Sequence, residues 1–242
     1  MSDARTVLVP RPAAGRTFAT TRTVRLGDVS ARARLRLDAV ARYLQDVAND
    51  DATEALAGDS MAWVVRSTTI QVERWPAFRE AVELTTWGSG VGSRWAERRT
   101  SIVGERGGAI EAASTWIHVD LDSGRPKKLI PRFLEEYGAA IGGREVSARL
   151  GHDAPPPGAE IVPWTVRKAD IDLLGHVNNA VYWTMVEEHL DVHAPCTATV
   201  EYRGGIDFGQ DVELQRDGGH LWALVQGAVA ASATVLLGSA DS

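Results

Sequence analysis

Cysteine is almost absent from this sequence, and its scarcity limits the classes to which the chain can belong. Among 242 residues there is one cysteine, Cys196, so neither an internal disulfide nor a cysteine-rich metal site can form. No stretch approaches the roughly 18 consecutive apolar residues that a membrane helix needs. The start, Met1–Arg5, runs into only Val7–Val9, which is too short for the apolar region of a signal peptide. We therefore expect a cytoplasmic protein that does not enter a membrane.

Excess positive charge is also lacking, since the formal net charge is −6. Bulk electrostatics therefore gives no support to a nucleic-acid partner. The six histidines show no ligand spacing with acids, and no glycine-rich phosphate loop is present, so no metal and no cofactor are expected. What the chain does have is apolar material: at 44% it can bury one large core, or two cores of about 120 residues each.

The predicted elements occur twice in the same order. In the first half, Phe18–Leu26 is predicted as a strand, and Asp38 is the expected N-cap of an amphipathic helix. The segment 142–158 has four glycines and three consecutive prolines, so it is predicted to be a linker. After it, Glu160–Lys168 is predicted as a strand, and a second amphipathic helix is expected from about Asn179. Four strands are predicted after each helix: Trp63–Val72, Ala81–Trp87, Arg94–Val103 and Ile110–Val119, and then Thr197–Tyr202, Asp211–Gln215, Leu221–Gln226 and Ala230–Leu237.

This duplicated pattern favours an α+β fold. One helix with a single apolar face is most simply buried when the strands that follow it wrap around it. We therefore predict an N-terminal unit at residues 17–141 and a C-terminal unit at 159–238, whose sheets join edge to edge. The alternative is two ferredoxin-like domains, but those need a second helix in each unit, and neither half shows one of comparable strength.

The loop that enters the second helix carries the residues most suited to chemistry. Asp172, Gly175, His176, Asn178 and Asn179 precede or begin that helix. Backbone N–H groups at a helix N-terminus can hold a developing oxyanion. Each residue also has an ordinary explanation: an asparagine as N-cap, a histidine on the surface, an aspartate or glycine in a turn. In combination they indicate a hydrolytic site.

The same loop resembles a known motif. Asp172–Asn179 with Tyr182 is similar to the Asp-x-x-x-His-Val-Asn-Asn-x-x-Tyr motif of the plant and bacterial acyl-[acyl carrier protein] thioesterases. The resemblance covers about residues 17–237. It implies a tandem double hot-dog fold and hydrolysis of fatty acyl thioesters on acyl carrier protein, with the acyl pocket in the N-terminal unit and the catalytic residues in the C-terminal unit. Segments of the first half resemble that family in order and spacing: Tyr43–Ala48, Met61–Val65, Ile70–Pro76, Val82–Trp87 and Ala113–Trp116.

The resemblance assigns catalytic roles to Asp172 and His176. We expect Asp172 to act as general base or nucleophile and His176 to orient the substrate or protonate the leaving thiolate. Backbone N–H groups near His176 and Val177 are expected to polarise the thioester carbonyl. Asn178 is a further catalytic candidate, which also suits the N-cap position of the helix.

The chain departs from the family pattern at several positions. The asparagine that many members carry two residues before the histidine is Leu174 here, and the family's acidic residue and cysteine fall on Gly205 and Ile206. A cysteine mechanism is therefore not expected, and Cys196 is not assigned that role. Asp207, one residue further, is a candidate for the missing carboxylate. Glu188 is a candidate for a catalytic or supporting contact.

The substrate-binding residues are expected near the first helix. The predicted acyl-pocket residues are Leu44, Val47, Met61, Trp63 and Trp116.

Acidic acyl carrier protein would need a basic docking patch on this chain. Three basic groups are candidates for the patch: Arg32, Arg34 and Arg36, which would share one side of a strand; Arg94, Arg98 and Arg99; and Arg125, Lys127, Lys128 and Arg132.

Two other functions remain open at this point. One is an acyl-CoA thioesterase, and the other is a non-catalytic double hot-dog module that binds acyl chains. A monomer and a homodimer are both compatible with a tandem duplication. Neither the acyl chain length nor the identity of the thiol carrier follows from the residues.

Overall fold

A computed structural model describes residues 8–57 and 61–238, so the Met1–Arg5 segment lies outside the described residues. Within them, ten strands form one antiparallel sheet in the order β1-β3-β4-β5-β2-β7-β10-β9-β8-β6. The strands are β1 (Phe18–Thr23), β2 (Ala62–Arg74), β3 (Ala81–Val91), β4 (Trp95–Gly104), β5 (Ala109–Val119), β6 (Glu160–Val162), β7 (Cys196–Tyr202), β8 (Val212–Asp217), β9 (His220–Val225) and β10 (Ala228–Leu237).

The two halves of the sheet meet where β2 pairs with β7. Six residue pairs form this seam, from Ser67 opposite Glu201 to Val72 opposite Cys196. Each half therefore covers an edge strand of the other, which confirms the predicted edge-to-edge arrangement. The expected strand Glu160–Lys168 is shorter in the structure, since β6 ends at Val162.

Two long helices, α1 (Leu37–Ala55) and α3 (Asn179–His189), pack against each other and against the sheet. The apolar stripe of α1 is buried as predicted, with Val40 and Val47 fully inaccessible. Burying a side chain of this size contributes about 1.5–3 kcal/mol. None of the described helices is long and apolar enough to cross a membrane.

The N-cap prediction for α1 was wrong. The helix begins at Leu37 and Arg36 is its N-cap, so Asp38 lies inside the first turn. Its buried carboxylate accepts hydrogen bonds from Arg36 Nε (2.7 Å) and from Arg42 (2.5 Å). These bonds outweigh the effect of burial, which by itself raises the pKa of Asp38, and the pKa is lowered.

A further helix, α2 (Pro131–Ile141), was not predicted. Proline at its first position and Gly142 in the left-handed region just after it (φ 61°) mark its ends. Its buried face, Phe133 and Tyr137, belongs to a small second core beside the C-terminal end of α1. This additional helix does not support the ferredoxin-like alternative, because the two halves share one continuous sheet.

The two loops that lead into α1 and α3 have the same backbone hydrogen bonds. Adding 142 to a residue number in the first loop gives its counterpart in the second, as for Asp28 and Asp170. Ala33 and Gly175 correspond, and both have positive φ (59° and 85°). Three backbone hydrogen bonds of the first loop each have an equivalent in the second. Ser30 N to Arg34 O (2.8 Å) matches Asp172 N to His176 O (2.9 Å), and Arg36 N to Asp28 O (3.0 Å) matches Asn178 N to Asp170 O (2.8 Å). Leu35 N to Pro76 O (2.8 Å) matches Val177 N to Ile206 O (2.7 Å).

Candidate active site

The loop before α3 brings Asp172 and His176 to one side of the chain. Asp172 N–H donates to His176 O (2.9 Å), and Gly175 closes the turn with a bond to Asp172 O (3.0 Å). Ile171 faces Val177 in an antiparallel bridge, so Asp172 and His176 lie directly opposite each other. Cβ atoms of such pairs are about 5 Å apart. Gly175 suits the turn because its φ of 85° strains other residues.

Asp207 lies against His176. Its Oδ1 is 2.6 Å from the imidazole Nδ1, and both side chains are about half exposed (55% and 51%). Asp207 N–H donates to Gln210 Oε1 (2.8 Å), which fixes this turn. A Cβ on Gly205 would lie 3.1 Å from the imidazole ring, so glycine leaves room for it. Since Asp207 occupies Nδ1, the other ring nitrogen, Nε2, is the one left to meet a substrate.

The N-terminus of α3 presents one backbone donor. Asn178 is the N-cap, and its Oδ1 accepts from Ala180 N (2.9 Å). Among the backbone N–H groups near His176 and Val177 that are predicted to polarise the carbonyl, that of Val177 is already engaged, because it donates to Ile206 O (2.7 Å). Within the described chain, the N–H of Asn179 has no recorded acceptor. It is therefore the amide available to an oxyanion at the positive end of the helix.

A cavity of about 530 Å³ runs from this loop along α1. Asp172, Asn178 and Asn179 lie at one end, while His176 is not in its lining. The α1 wall extends from Gln45 to Ala57, which spans roughly 18 Å at about 1.5 Å per residue. The rest of the wall from the first half includes Met61 and four aromatic residues, together with Glu97 and Arg98; the aromatic residues are Trp63, Trp116, Phe133 and Tyr137.

The predicted acyl-pocket residues divide into two groups. Met61, Trp63 and Trp116 line the cavity. Leu44 and Val47 do not, because they lie in the main core with 5% and 0% exposure. The apolar stripe of α1 packs inward, and a neighbouring stripe of the helix faces the cavity instead.

Glu188 lines neither of the two cavities described here. Its side chain is exposed on α3, whereas its neighbour Glu187 is partly buried and bonds to Arg34 from the other half of the chain. The contact that the structure shows on this part of α3 is made by Glu187, and the role of Glu188 stays a prediction. The sequence offered no signal for the contact of Glu187, since its partner is 153 positions away along the chain.

A buried charge cluster forms part of the cavity wall and was missed by sequence analysis. Asp51, 1% exposed, accepts from Arg16 Nε (2.7 Å), Arg98 (2.5 Å) and the Tyr137 hydroxyl (2.8 Å). Burial raises the pKa of Tyr137, with Arg98 opposing the shift. The Arg98 guanidinium is therefore bound to a buried carboxylate rather than presented to a partner. Arg99 is 2% exposed, so this basic group does not form a docking patch.

The group Arg32, Arg34 and Arg36 also differs from the prediction, because this segment is not a strand. Arg34 pairs with Glu187 (2.8 Å) and lies over the Trp75 ring (4.3 Å to the centroid). Arg36 binds Asp38. Only Arg32 of the three is exposed.

The third basic group is on the surface but far from the loop. In it, Arg125, Lys127 and Lys128 are exposed, and Lys127 pairs with Asp120 (3.5 Å). Arg132 donates to the carbonyl of Ala57 (3.1 Å), at the opposite end of the cavity from Asp172.

A second cavity, of about 670 Å³, meets the first at Gln45 and Asn178, which line both. Its wall is polar and holds three arginines, Arg22, Arg25 and Arg42. Two of them pair with aspartates, Arg22 with Asp46 (2.8 Å) and Arg42 with Asp28 (3.2 Å). Among the described residues, no side-chain partner is recorded for the Arg25 guanidinium.

Cys196 lies in β7 and is 3% exposed. Burial raises the pKa of its thiol to about 11. The thiol is therefore protonated at neutral pH and cannot serve as the nucleophile.

Two family models match the chain in succession. The acyl-ACP thioesterase N-terminal domain matches residues 15–137, and the acyl-ACP thioesterase C-terminal domain matches residues 156–233. The chain belongs to the acyl-ACP thioesterase family. It is a thioester hydrolase of fatty acid biosynthesis, and the loop described above falls in the part matched by the C-terminal model.

Relatives of this thioesterase occur in bacteria and plants. An uncharacterized protein of Mycobacterium tuberculosis strain H37Rv is 30% identical over 218 residues, covering 88% of this chain and 87% of its own. Oleoyl-acyl carrier protein thioesterase 1 of Arabidopsis thaliana is 25% identical over 211 residues, covering 74% of this chain and 58% of the plant protein.

Solved structures establish the double hot-dog fold of this thioesterase. An acyl-ACP thioesterase from Bacteroides thetaiotaomicron has a TM-score of 0.73 at 18% identity and covers 91% of this chain and 97% of its own. The 12:0-ACP thioesterase from Umbellularia californica has a TM-score of 0.73 at 20% identity and covers 90% of this chain and 96% of its own. The predicted fold class is confirmed.

Proposed function

We propose that this thioesterase hydrolyses fatty acyl thioesters carried on acyl carrier protein and releases free fatty acid, which ends chain elongation. The observation that carries the proposal is the cavity along α1, which ends at Asp172 and Asn178. An acyl chain lying in it places its thioester next to a carboxylate. Each buried CH₂ group contributes about 0.8 kcal/mol, so a long chain is held firmly even in a partly polar cavity.

In the proposed reaction, Asp172 is the general base. It takes a proton from water as the water oxygen bonds to the thioester carbon, and the carbonyl electron pair moves onto oxygen. Asn179 N–H and the N-terminus of α3 stabilise that oxyanion. When the intermediate collapses, the C–S bond breaks. The thiolate receives a proton from His176, a weak demand for a thiol with a pKa of about 8.5.

Asp207 is a positioning residue in this proposal. Its carboxylate holds Nδ1 of His176 (2.6 Å) and stabilises the imidazolium that donates the proton. The family's acidic position is Gly205 here, so the turn supplies a carboxylate two residues later instead. The negative charge beside the imidazole thus comes from position 207 instead of position 205.

The second cavity supports an entry route for the thiol carrier. It meets the acyl cavity at Gln45 and Asn178, so a thioester at that junction has its acyl chain on one side and its carrier arm on the other. The arm of acyl carrier protein and that of CoA both carry phosphate. Arg25, the arginine there without a recorded side-chain partner, is the group we assign to that phosphate.

A thiol-release assay across acyl lengths, on matched carrier-protein and CoA thioesters, tests the proposal. We expect turnover on the carrier-protein series, and about a 10²- to 10⁴-fold lower kcat for Asp172→Asn with the melting temperature retained. Faster turnover on CoA would identify an acyl-CoA thioesterase. No thiol above background would identify an acyl-binding module.

A further inference from the structure

The loop before α1 contains a closed copy of the active site. By the offset of 142, Leu37 corresponds to Asn179, the first residue of α3, and Arg34 corresponds to His176. On the facing helix, Gln45 of α1 corresponds to Glu187 of α3. The equivalent backbone hydrogen bonds of the two loops make this correspondence structural as well as sequential.

In the copy, a carboxylate oxygen is bound at the first N–H group of the helix. Glu187 Oε1 accepts from Leu37 N (2.7 Å) and from Arg34 Nη1 (2.9 Å). The other oxygen, Oε2, accepts from Arg34 Nη2 (2.8 Å). Both side chains are mostly buried, with 12% of Glu187 and 18% of Arg34 exposed. In this arrangement the helix N-terminus and the loop before it bind an anionic oxygen.

The C-terminal unit has the equivalent positions, but different residues occupy them. By the same correspondence, Asn179 N–H and His176 bound the oxygen site here and Gln45 faces it from α1; Asn179 and Gln45 both line the first cavity. Gln45 lines both cavities, at the junction where the proposed thioester lies. Glutamine carries no charge to pair with the imidazole, and its amide nitrogen can donate a hydrogen bond where glutamate only accepts.

We propose that Gln45 is a catalytic residue of this thioesterase, whose Nε2 donates to the carbonyl oxygen as negative charge develops on it. The catalytic role rests on the proposed function, whereas the placement of Gln45 opposite His176 rests on the internal repeat. Glu187 fills the equivalent oxygen site in the first loop, so that only one of the two sites accepts substrate.

The first test is Gln45→Glu, which recreates the closed copy. We expect kcat to fall at least about 10²-fold, because the new carboxylate occupies the oxyanion site and only accepts hydrogen bonds. Because the new carboxylate should lie beside His176, the imidazole signals of His176 in the NMR spectrum should also shift. Gln226→Glu makes the same change in the exposed turn between β9 and β10, and neither quantity should move.

The second test is Gln45→Met, which keeps the length of the side chain and removes the donor. Loss of one oxyanion donor is expected to lower kcat about 10²- to 10³-fold with little change in KM. Thermal melts show that each variant is folded. Wild-type kcat in Gln45→Met overturns the catalytic role, and unchanged His176 imidazole signals in folded Gln45→Glu overturn the placement. If wild type releases no thiol from any substrate, the proposed function fails, while the NMR signals still decide the placement.

Discussion

Oδ1 of Asp207 lies 2.6 Å from Nδ1 of His176, although the two residues are 31 positions apart in the chain. The contact depends on the turn after β7, where Val177 N–H binds Ile206 O (2.7 Å) and aligns the two segments. In the proposed function, Asp207 supplies the carboxylate for which the family pattern has an acidic residue at the position of Gly205. The pair has consequences that can be measured.

Asp207→Asn is expected to lower kcat about tenfold or more, because the amide does not stabilise the imidazolium and holds the ring less firmly. KM should change little, since Asp207 acts through His176 and is not assigned a contact with the substrate. Asp211→Asn, an exposed aspartate four residues later, is the matched control and should behave as wild type. Equal kcat for the two variants would contradict a role for Asp207.

Glu187→Gln should destabilise the fold rather than the chemistry. It leaves the mostly buried Arg34 guanidinium without its carboxylate, and breaking such a pair costs up to about 3–5 kcal/mol when fully buried, so about 1–3 is expected here. Urea unfolding measures this. Glu188→Gln, the exposed neighbour, should change stability by less than about 0.5 kcal/mol. Lower kcat in Glu188→Gln with normal stability would instead support a role for Glu188 in catalysis.

Arg25→Gln should raise KM for acyl carrier protein and CoA thioesters by about fivefold or more, because a charge-assisted hydrogen bond to phosphate is lost. The same acyl group on N-acetylcysteamine, which has no phosphate, should be hydrolysed equally by variant and wild type. Arg149→Gln removes an exposed arginine from the linker segment and serves as control. A uniform rise in KM across all three thioesters would exclude phosphate recognition by Arg25.

Acidification should weaken the fold through His152. Burial lowers the pKa of this imidazole although Glu201 opposes the shift, and Nδ1 lies 3.0 Å from Ser232 Oγ. The unfolded chain therefore binds more protons than the folded chain between the lowered pKa and about 6.5, so stability is full above about pH 6.5 and falls as pH drops through that window. Urea midpoints at several pH values should reveal this fall. In His152→Gln the fall should shrink, and an identical pH dependence would show that another group is responsible.

Much of the fold could be predicted from periodicity and repetition. The apolar stripe of α1 and the strand patterns are local, and their recurrence after residue 158 revealed the duplication. The helix α2 was missed because it is short and its buried face contacts a separate small core. Its limits, Pro131 and Gly142, are ordinary helix signals that could have found it.

The site was predictable where residues are close in sequence, and less so elsewhere. Asp172, His176 and Asn178 occupy one loop, so their proximity follows from spacing. The contacts of Glu187 with Arg34 and of Asp51 with Arg98 join distant segments and depend on how the two halves meet. Periodicity also cannot say which flank of α1 faces a cavity, which is why Leu44 and Val47 were assigned to it.

The pairing of β2 with β7 makes the distance between the cavity along α1 and the loop before α3 a property of strand register. A shift of one residue along that seam would move one repeat by about 3.3 Å against the other and reverse the faces of its side chains. In the proposed function, the length of acyl chain that fits ahead of the scissile bond therefore depends on backbone hydrogen bonds remote from the substrate. Substitutions of cavity residues alone, made to change product length, would leave the β2–β7 register unchanged.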